Sequence, residues 1–209
     1  MLKGEETRAR VLDAAITLIN RKGFRNTSVQ DIIDETGVKK GNLYFHFSGK
    51  HELGRALINE AGERYFKYLA RSITSDDPLG KISDILDAVL AYHRGRDFVG
   101  GCIFGNTALE MGDSDPDFSA LVRDVFGRWQ AVLAGCLGEA GRMGALPAGI
   151  KPEPMARHIV AAMEGSIMMA RLHKSEEPIV ECIGFVKRLL GMSEGSGDLQ
   201  YRNKEGAPA

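Results

Sequence analysis

The residues of this chain best suited to chemistry with a polyanion lie between positions 38 and 51. This segment contains three lysines and no acidic residue, together with a carboxamide, a phenol and two imidazoles. Lysine can donate to O6 or N7 of guanine, asparagine can pair with N6 and N7 of adenine, and phenol and imidazole groups can bind phosphates. Contact with duplex DNA is therefore the chemistry that these residue types favour. The side chains concerned are Lys39, Lys40, Lys50, Asn42, Tyr44 and His46.

A second group of chemically active residues follows the pair Gly100-Gly101. If these glycines precede a helix, Cys102 lies at its amino terminus, and Asn106 and Glu110 follow at i+4 and i+8 on the same face. A helix amino terminus lowers the pKa of a thiol, so Cys102 could present a reactive thiolate, and the stripe could line a ligand cavity. The alternative is that Cys102 is an inert buried side chain, as free cysteines commonly are. Both interpretations stay open at the level of sequence.

His93 and Trp129 lie on other predicted helices and become candidates for the ligand cavity if that stripe is merely structural. A helical enzyme with Cys102 as nucleophile and His93 as base is an alternative interpretation. The sequence does not support it, because a separation of nine residues does not establish contact and no third group orients the base. We expect no catalytic residue.

Helices must position these residues, because hydrophobic residues recur at helical spacing almost throughout the chain and no strand pattern competes. Thr27 and Ser28 offer alternative N-caps for the second helix, and Gly37 ends it. The predicted class is all-α, with about nine helices. Their expected positions are 11–22, 28–36, 39–47, a long helix from 50, and then about 78–96, 102–112, 116–141, 152–174 and 177–191.

The second and third helices, separated by a glycine turn, form a helix-turn-helix, whose second helix can enter the major groove of DNA. At about 100° per residue, Leu43 and Phe47 share one face of that helix and must point to the core. Gly41, Asn42 and Phe45 fall on the opposite face. The glycine allows the helix backbone to come close to DNA.

The fixed spacings of residues 27–53 resemble the DNA-binding signature of the TetR family of bacterial transcription regulators. The most specific part is Leu43-Tyr44-x-His46-Phe47-x-x-Lys50. The resemblance implies an all-helical homodimer with an N-terminal three-helix DNA-binding domain and a larger, variable body that binds a small molecule and forms the dimer contact. By position it also implies two sets of contacts to DNA. The major-groove set is Lys39, Lys40, Gly41, Asn42 and Phe45, and the phosphate set is Thr27, Tyr44, His46 and Lys50.

Lys39 departs from the family pattern, since many members have Ser or Thr at this position. A lysine cannot cap the recognition helix by accepting N–H bonds, so either the cap is weaker or Lys39 is used on DNA. The stretch from Gly100 to Pro116 is similar to a segment in one branch of the same family.

The helix predicted at 152–174 is apolar nearly all round, so most of its sides must be covered. Too little chain remains in one subunit to cover both this helix and the last one. We therefore expect the two helices to form a four-helix bundle with those of a second subunit across a two-fold axis. The expected interface residues are Ile159, Met163, Ile167, Met168, Ile183, Val186 and Leu190.

Charge is unevenly distributed along the chain, whose net charge is -1 at pH 7. Residues 1–55 hold ten basic and seven acidic side chains, a surplus of +3, so the remaining 154 residues carry -4. A basic end joined to an acidic body is expected when one part binds a polyanion and the other has a different task. An architectural DNA-binding protein without an effector would be strongly basic, which this chain is not.

Composition also bears on compartment and cofactors. No apolar run approaches the roughly 18 residues of a membrane helix, and the first residues lack the apolar core of a signal peptide. We therefore expect a cytoplasmic protein without membrane contact. Cys102, Cys136 and Cys182 are odd in number and far apart, so we expect neither structural disulfides nor a metal site. No cofactor is expected.

These observations together predict a ligand-responsive transcriptional regulator. We expect a repressor that binds a palindromic DNA operator as a homodimer and is released by a small-molecule effector. The helical enzyme and the effector-independent architectural protein are the alternatives. The expected organisation is a helix-turn-helix domain at 1–50, an effector-binding and dimerisation domain at 51–192, and a flexible tail at 193–209.

Overall fold

The structure is a computed structural model that describes residues 3–192. Within this range the chain forms nine α-helices and no strand, which confirms the predicted all-α class. The tail predicted at 193–209 lies outside the described residues. No helix between residues 3 and 192 has both the length and the apolarity needed to cross a bilayer. The helices are α1 (Lys3–Lys22), α2 (Val29–Thr36), α3 (Lys40–His46), α4 (Lys50–Ser72), α5 (Pro78–Arg94), α6 (Ile103–Met111), α7 (Pro116–Arg142), α8 (Pro152–His173) and α9 (Glu177–Leu189).

Local sequence signals fix the ends of the helix-turn-helix. Ser28, not Thr27, caps α2: its hydroxyl accepts from the N–H of Asp31 at 3.0 Å, and the Asp31 carboxylate accepts from the N–H of Ser28 at 2.7 Å. This reciprocal pair satisfies two backbone donors. Gly37 ends α2 in the left-handed conformation, with φ of 64°. Lys39 is the N-cap of α3 and makes no side-chain capping bond, which confirms the expectation for this departure from the family pattern.

Two hydrophobic clusters form the interior. The first joins α1–α4 with α6 and the first half of α7. The second joins α5, the remainder of α7, α8 and α9. Helix α4 belongs to both, because Leu53 and Leu57 pack in the first cluster and Leu69 packs in the second. The first three helices therefore contact the body through α1 and the turn that follows it, and the domain boundary predicted at residue 50 stays a prediction.

The contact between these parts depends on a glycine in α4. The rings of Phe24, from the turn between α1 and α2, and Phe118, from α7, lie 4.8 Å apart between centroids. Both cover Gly54, where a Cβ atom would lie 2.7 Å from Cζ of Phe118 and closer still to the ring of Phe24. Only a residue without a side chain allows the two rings to meet above α4.

The dimer residues predicted in α8 and α9 are mostly wrong. Helix α8 packs against α7 and α9 of its own subunit, so the predicted apolar stripe is internal core. Met168 is the exception, with 57% of its surface exposed. The buried residues are Ile159, Met163, Ile167, Ile183, Val186 and Leu190. A different set of large apolar residues on the two helices is exposed, and we call it the α8–α9 face: Met168, Met169, Leu172, Phe185 and Leu189.

Replacing Gly54 with alanine tests the contact above α4. We expect Gly54→Ala to lower the free energy of unfolding by about 1–3 kcal/mol, because two packed rings must shift to admit the methyl group. Gly135→Ala is the matched control, since Gly135 is an exposed helical glycine and no neighbouring atom lies within 4 Å of the place that the new methyl group would take. It should raise stability by about 0.5–1 kcal/mol. Equal effects of the two variants in denaturant titrations would contradict the packing argument.

Candidate nucleic-acid interface and cavities

The recognition helix α3 presents the two faces that the sequence predicted. Leu43 and Phe47 are buried in the first cluster, while Gly41 and Asn42 are exposed. Phe45 is 84% exposed, which is unusual for a phenylalanine. An outward surface that combines an amide, an open backbone position and an apolar ring can contact base edges, including the methyl group of thymine.

Cationic and aromatic side chains flank that surface. Lys39 and Lys40 are both exposed, and the ammonium group of Lys40 lies 5.9 Å from the ring centroid of Tyr44. Tyr44 is itself exposed, whereas His46 is half-buried with its ring edge-on to Phe45 at 5.2 Å. These four polar side chains are arranged around one end of the domain. Their contacts to phosphates and bases stay predictions.

Two of the predicted phosphate contacts have internal roles. Thr27 is fully buried and its hydroxyl donates to the carbonyl of Gly23 at 2.8 Å, so its side chain cannot reach a phosphate and that prediction is wrong. Lys50 donates to the carbonyl of Arg25 at 3.2 Å, and its ammonium group lies 4.7 Å from the ring centroid of Phe24. Burial lowers the pKa of Lys50, which the nearby carboxylate groups partly offset. Lys50 thus stabilises the turn between α1 and α2, a role that the sequence did not indicate.

Glu110 stabilises the same turn from the body. Its carboxylate accepts from the backbone N–H of Phe24 at 2.7 Å and from that of Arg25 at 2.6 Å. The guanidinium group of Arg25 also donates to Ser114 at 2.9 Å. Glu110 lines neither of the cavities described below, and both of its carboxylate oxygens accept bonds from this turn, so its effector contact stays a prediction that these cavity walls do not support. Helix α6 instead uses this side chain to hold the DNA-binding domain.

Asn106 connects three helices through its carboxamide. Its amide nitrogen donates to the Asn20 side chain of α1 at 3.0 Å and to the carbonyl of Gly100 at 2.7 Å. Its oxygen accepts from the guanidinium group of Arg171 in α8 at 2.9 Å. Both ends of the amide are therefore satisfied, and the same side chain joins α6 to α8 and to α1.

Two cavities adjoin the start of α6 and share Gly101 and Cys102 in their walls. The first cavity, of about 400 Å³, lies between α1, α4, α5 and α6 and is lined by His93, as the sequence predicted. The second cavity, of about 330 Å³, lies between α6, α7 and α8. Its wall includes Cys102, Asn106, Phe126, Glu164, Met168 and Arg171.

Trp129 lines neither of these two cavities. Its indole is buried in the second cluster, with the ring centroid 6.3 Å from that of Tyr65, which does line the first cavity. The walls of these two cavities therefore do not support the prediction that Trp129 contacts the effector directly. The ring of Tyr65 separates the indole from the first cavity.

Burial, not the helix amino terminus, controls the Cys102 thiol. The backbone N–H of Gly105 points to its sulfur at 3.5 Å, as expected for an N-cap position. Loss of hydration and the adjacent Glu164 nevertheless raise the thiol pKa well above its ordinary value. The structure favours the inert interpretation of Cys102 over the reactive thiolate. Burial and, secondarily, Arg96 lower the pKa of His93 to about 4, so this imidazole is neutral at pH 7.

Glu164 is the functional candidate that sequence reasoning missed. It is the only acid between Glu153 and Glu176 in the sequence, within the otherwise apolar run of α8. A charged residue in the middle of an apolar helix is a signal in itself, because its burial is costly without a partner. From the sequence, the apolar residues around Glu164 are interpreted as a dimer contact, so Glu164 itself is not identified as a candidate.

Comparison with known proteins agrees with this geometry. Residues 11–57 match the family described as bacterial regulatory proteins, tetR family, and residues 78–184 match the tetracyclin repressor-like C-terminal domain. The chain is 31% identical over 169 residues to an uncharacterized HTH-type transcriptional regulator of Lactococcus lactis, covering 79% of this chain and 84% of that protein. It is 30% identical over 172 residues to the transcriptional regulator AcuR of Cereibacter sphaeroides, covering 81% and 78% respectively.

Solved structures give the same relationship. The crystal structure of a TetR transcriptional regulator from Chloroflexus aurantiacus superposes with a TM-score of 0.85 at 30% identity. The match covers 91% of this chain and 97% of that one. The similarity therefore extends over both the helix-turn-helix and the body.

Removal of the Glu110 carboxylate tests its hold on the turn between α1 and α2. We expect Glu110→Ala to lower the free energy of unfolding by about 1–3 kcal/mol, since two backbone donors lose a charged acceptor. Amide exchange at Phe24 and Arg25 should accelerate in the same variant. Glu35→Ala, which removes an exposed acid from α2, should change stability by less than about 0.5 kcal/mol. Unchanged exchange at both amides would show that other contacts hold the turn.

Proposed function

Because the chain belongs to the TetR family of bacterial transcription regulators, a class of DNA-binding proteins and not of enzymes, we propose a specific mode of action for it. It is a homodimeric repressor in the cytoplasm, and a small-molecule effector releases it from a palindromic operator. The observation that carries this proposal is that α6 contacts both an internal cavity and the DNA-binding domain. Three parts of the molecule support the proposal: the exposed side of α3, the α8–α9 face, and α6, which couples the cavity to the DNA-binding domain.

The exposed side of α3 supports sequence-specific binding in the major groove. Asn42 is positioned to pair with an adenine edge, Lys40 to donate to guanine, and Phe45 to contact a thymine methyl group. Lys39 belongs to the same major-groove set, and Tyr44 lies beside it and supplies a donor for phosphates. The buried Thr27 is omitted from this set.

The α8–α9 face supports the homodimer. Large apolar side chains exposed together on two adjacent helices typically mark a protein interface. Leu172 is 72% exposed and Phe185 is 55% exposed, so both would lose water contact on association. A two-fold axis through this face would form a four-helix bundle from α8 and α9 of two subunits. The bundle uses the outer side of α8, not the inner stripe that the sequence suggested.

Helix α6 supports the coupling between effector and DNA. Cys102 and Gly105 at its start border the second cavity, while Asn106 and Glu110 along it bind α1 and the following turn. An effector that binds better to a shifted α6 therefore favours a different position of the DNA-binding domain. Release follows when the two recognition helices of the dimer no longer match successive major grooves, roughly 34–36 Å apart.

An intergenic fragment beside the protein's own gene tests DNA binding and release in one gel-shift series. The parent protein should retard the fragment, and a metabolite extract of the source cells should reverse the shift. Asn42→Ala should weaken binding to the best site by about 1–3 kcal/mol and change binding to random DNA little. The control is Asn59→Ala, an exposed asparagine on α4. Equal losses on both DNAs would remove Asn42 as a base-reading residue, and binding that no extract reverses would favour the architectural alternative.

A charge on the α8–α9 face tests the dimer. Phe185→Glu should weaken self-association by about 100-fold or more, because each carboxylate would be buried without a partner. Sedimentation should then show a folded monomer, and operator binding should be lost with the dimer. Ala131→Glu adds the same charge at an exposed position of α7 and should remain dimeric. A folded Phe185→Glu variant that stays dimeric would place the interface elsewhere.

A further inference from the structure

Glu164 is the one acidic side chain that enters the second cavity among residues 3–192. Its Oε1 atom is buried and has no hydrogen-bond partner within the described chain. Buried polar atoms are nearly always paired, and one without a partner needs a specific explanation. Glu164 belongs to the cavity wall, so a donor group on a bound molecule can supply the hydrogen bond that Oε1 lacks.

The surroundings show what kind of group is missing. Cys102 lies in the same cavity wall, and a Cβ atom at Gly105 would collide with Oε2 of Glu164, so the cavity is shaped around this side chain. The remaining wall near it is apolar, with Phe126, Ile167 and Met168. No cation of the described residues offsets the cost of burial, which raises the pKa of Glu164 to about 7.

Arg171 is the one cation in the wall of this cavity, and it is directed elsewhere. It lies seven residues after Glu164 on α8, and its guanidinium group donates to the carboxamide of Asn106 at 2.9 Å. The ion pairs of the described residues include none between this guanidinium group and Glu164. The carboxyl group is thus an acceptor in an apolar pocket without a basic partner.

We infer that the effector of this protein is a small organic cation, an ammonium group on an apolar body, and that Glu164 binds the ammonium group. This inference rests on the proposed effector-controlled function and adds the chemical class of the effector. An ammonium group supplies the donor that Oε1 lacks and the positive charge that a buried carboxylate requires. The ring of Phe126 and the side chain of Met168 suit its apolar part, and about 330 Å³ limits it to a small molecule.

The inference predicts that the affinity of the second cavity for an ammonium ion rises with pH. A cation stabilises the ionised form of Glu164, so binding releases a proton wherever the carboxyl group is still protonated. Affinity for an ammonium ion should therefore rise by roughly tenfold between about pH 6 and about pH 8, as the free carboxyl group ionises. The other titratable groups that face it keep their charge across this range. Burial raises the pKa of Cys102 and of Tyr65, so both stay neutral, and the guanidinium group of Arg171 is directed at Asn106.

The experiment compares n-hexylammonium with n-hexanol, which has the same apolar chain and no charge. Trp129 is the only tryptophan of the protein and lies three residues after Phe126 of the second cavity wall, on the same side of α7, so its fluorescence reports binding. Glu164→Gln keeps the side-chain size and removes the charge. We expect this variant to bind n-hexylammonium at least about tenfold more weakly and to bind n-hexanol with nearly unchanged affinity. Glu153→Gln removes an exposed acid from the first turn of α8 and should behave as the parent.

Several outcomes would overturn the inference. They are equal affinity of the parent for the two probes, no binding of n-hexylammonium, or ammonium affinity that does not rise with pH. The probe comparison and the pH series use the parent protein, so they decide the matter even if Glu164→Gln unfolds. If a metabolite extract releases the parent and a folded Glu164→Gln variant from DNA equally, effector release stands and the role of Glu164 fails. If n-hexylammonium binds through Glu164 without releasing DNA, the site stands and the proposed release fails.

Discussion

The position of the recognition helix depends on the turn between α1 and α2. Helix α3 has seven residues and no side-chain N-cap, so its orientation comes from the helices around it. The turn before α2 is fixed by the backbone hydrogen bonds that Phe24 and Arg25 donate to the Glu110 carboxylate and by the ring of Phe24 packed on Phe118 above Gly54. These contacts are partly buried and close, so they outweigh the exposed ion pairs between α4 and α7, which contribute little in water.

Within the body, the loss of hydration is the dominant electrostatic effect. Cys102 occupies an N-cap, where the helix dipole favours a thiolate, yet its pKa is raised because the site is buried beside Glu164. A helix terminus contributes at most a modest stabilisation, whereas an uncompensated buried charge costs several kcal/mol. The same balance keeps His93 neutral at pH 7 and the Glu164 carboxyl group close to its midpoint. The interior therefore contains polar groups whose charge depends on what is bound beside them.

Features set by neighbouring residues could be predicted from the sequence. The capping of α2, the ends of most helices and the two faces of α3 follow from propensity and periodicity. Periodicity does not say which partner covers an apolar face. The sequence therefore predicts dimer contacts for Ile159 and Met163, whereas the fold buries both within one subunit. Spacing placed Glu110 on a face with Cys102, but its partner is the backbone of Phe24, 86 residues earlier in the chain. Long-range pairings of this kind require the folded arrangement.

The short helix α6 is held at several points along its length, and this determines how a change in a cavity can propagate. Asn106 is bonded to both α1 and Arg171 of α8, while Glu110 is bonded to the following turn. Close-packed cores do not deform continuously, so a displaced α6 must either carry these partners with it or break their bonds. Breaking the bonds of Glu110 would take a charged acceptor away from two backbone donors, which adds about 1–3 kcal/mol to the cost of local loosening. The geometry thus favours rigid rotation of α1–α3 over local loosening, and in a dimer such a rotation changes the separation of the two recognition helices.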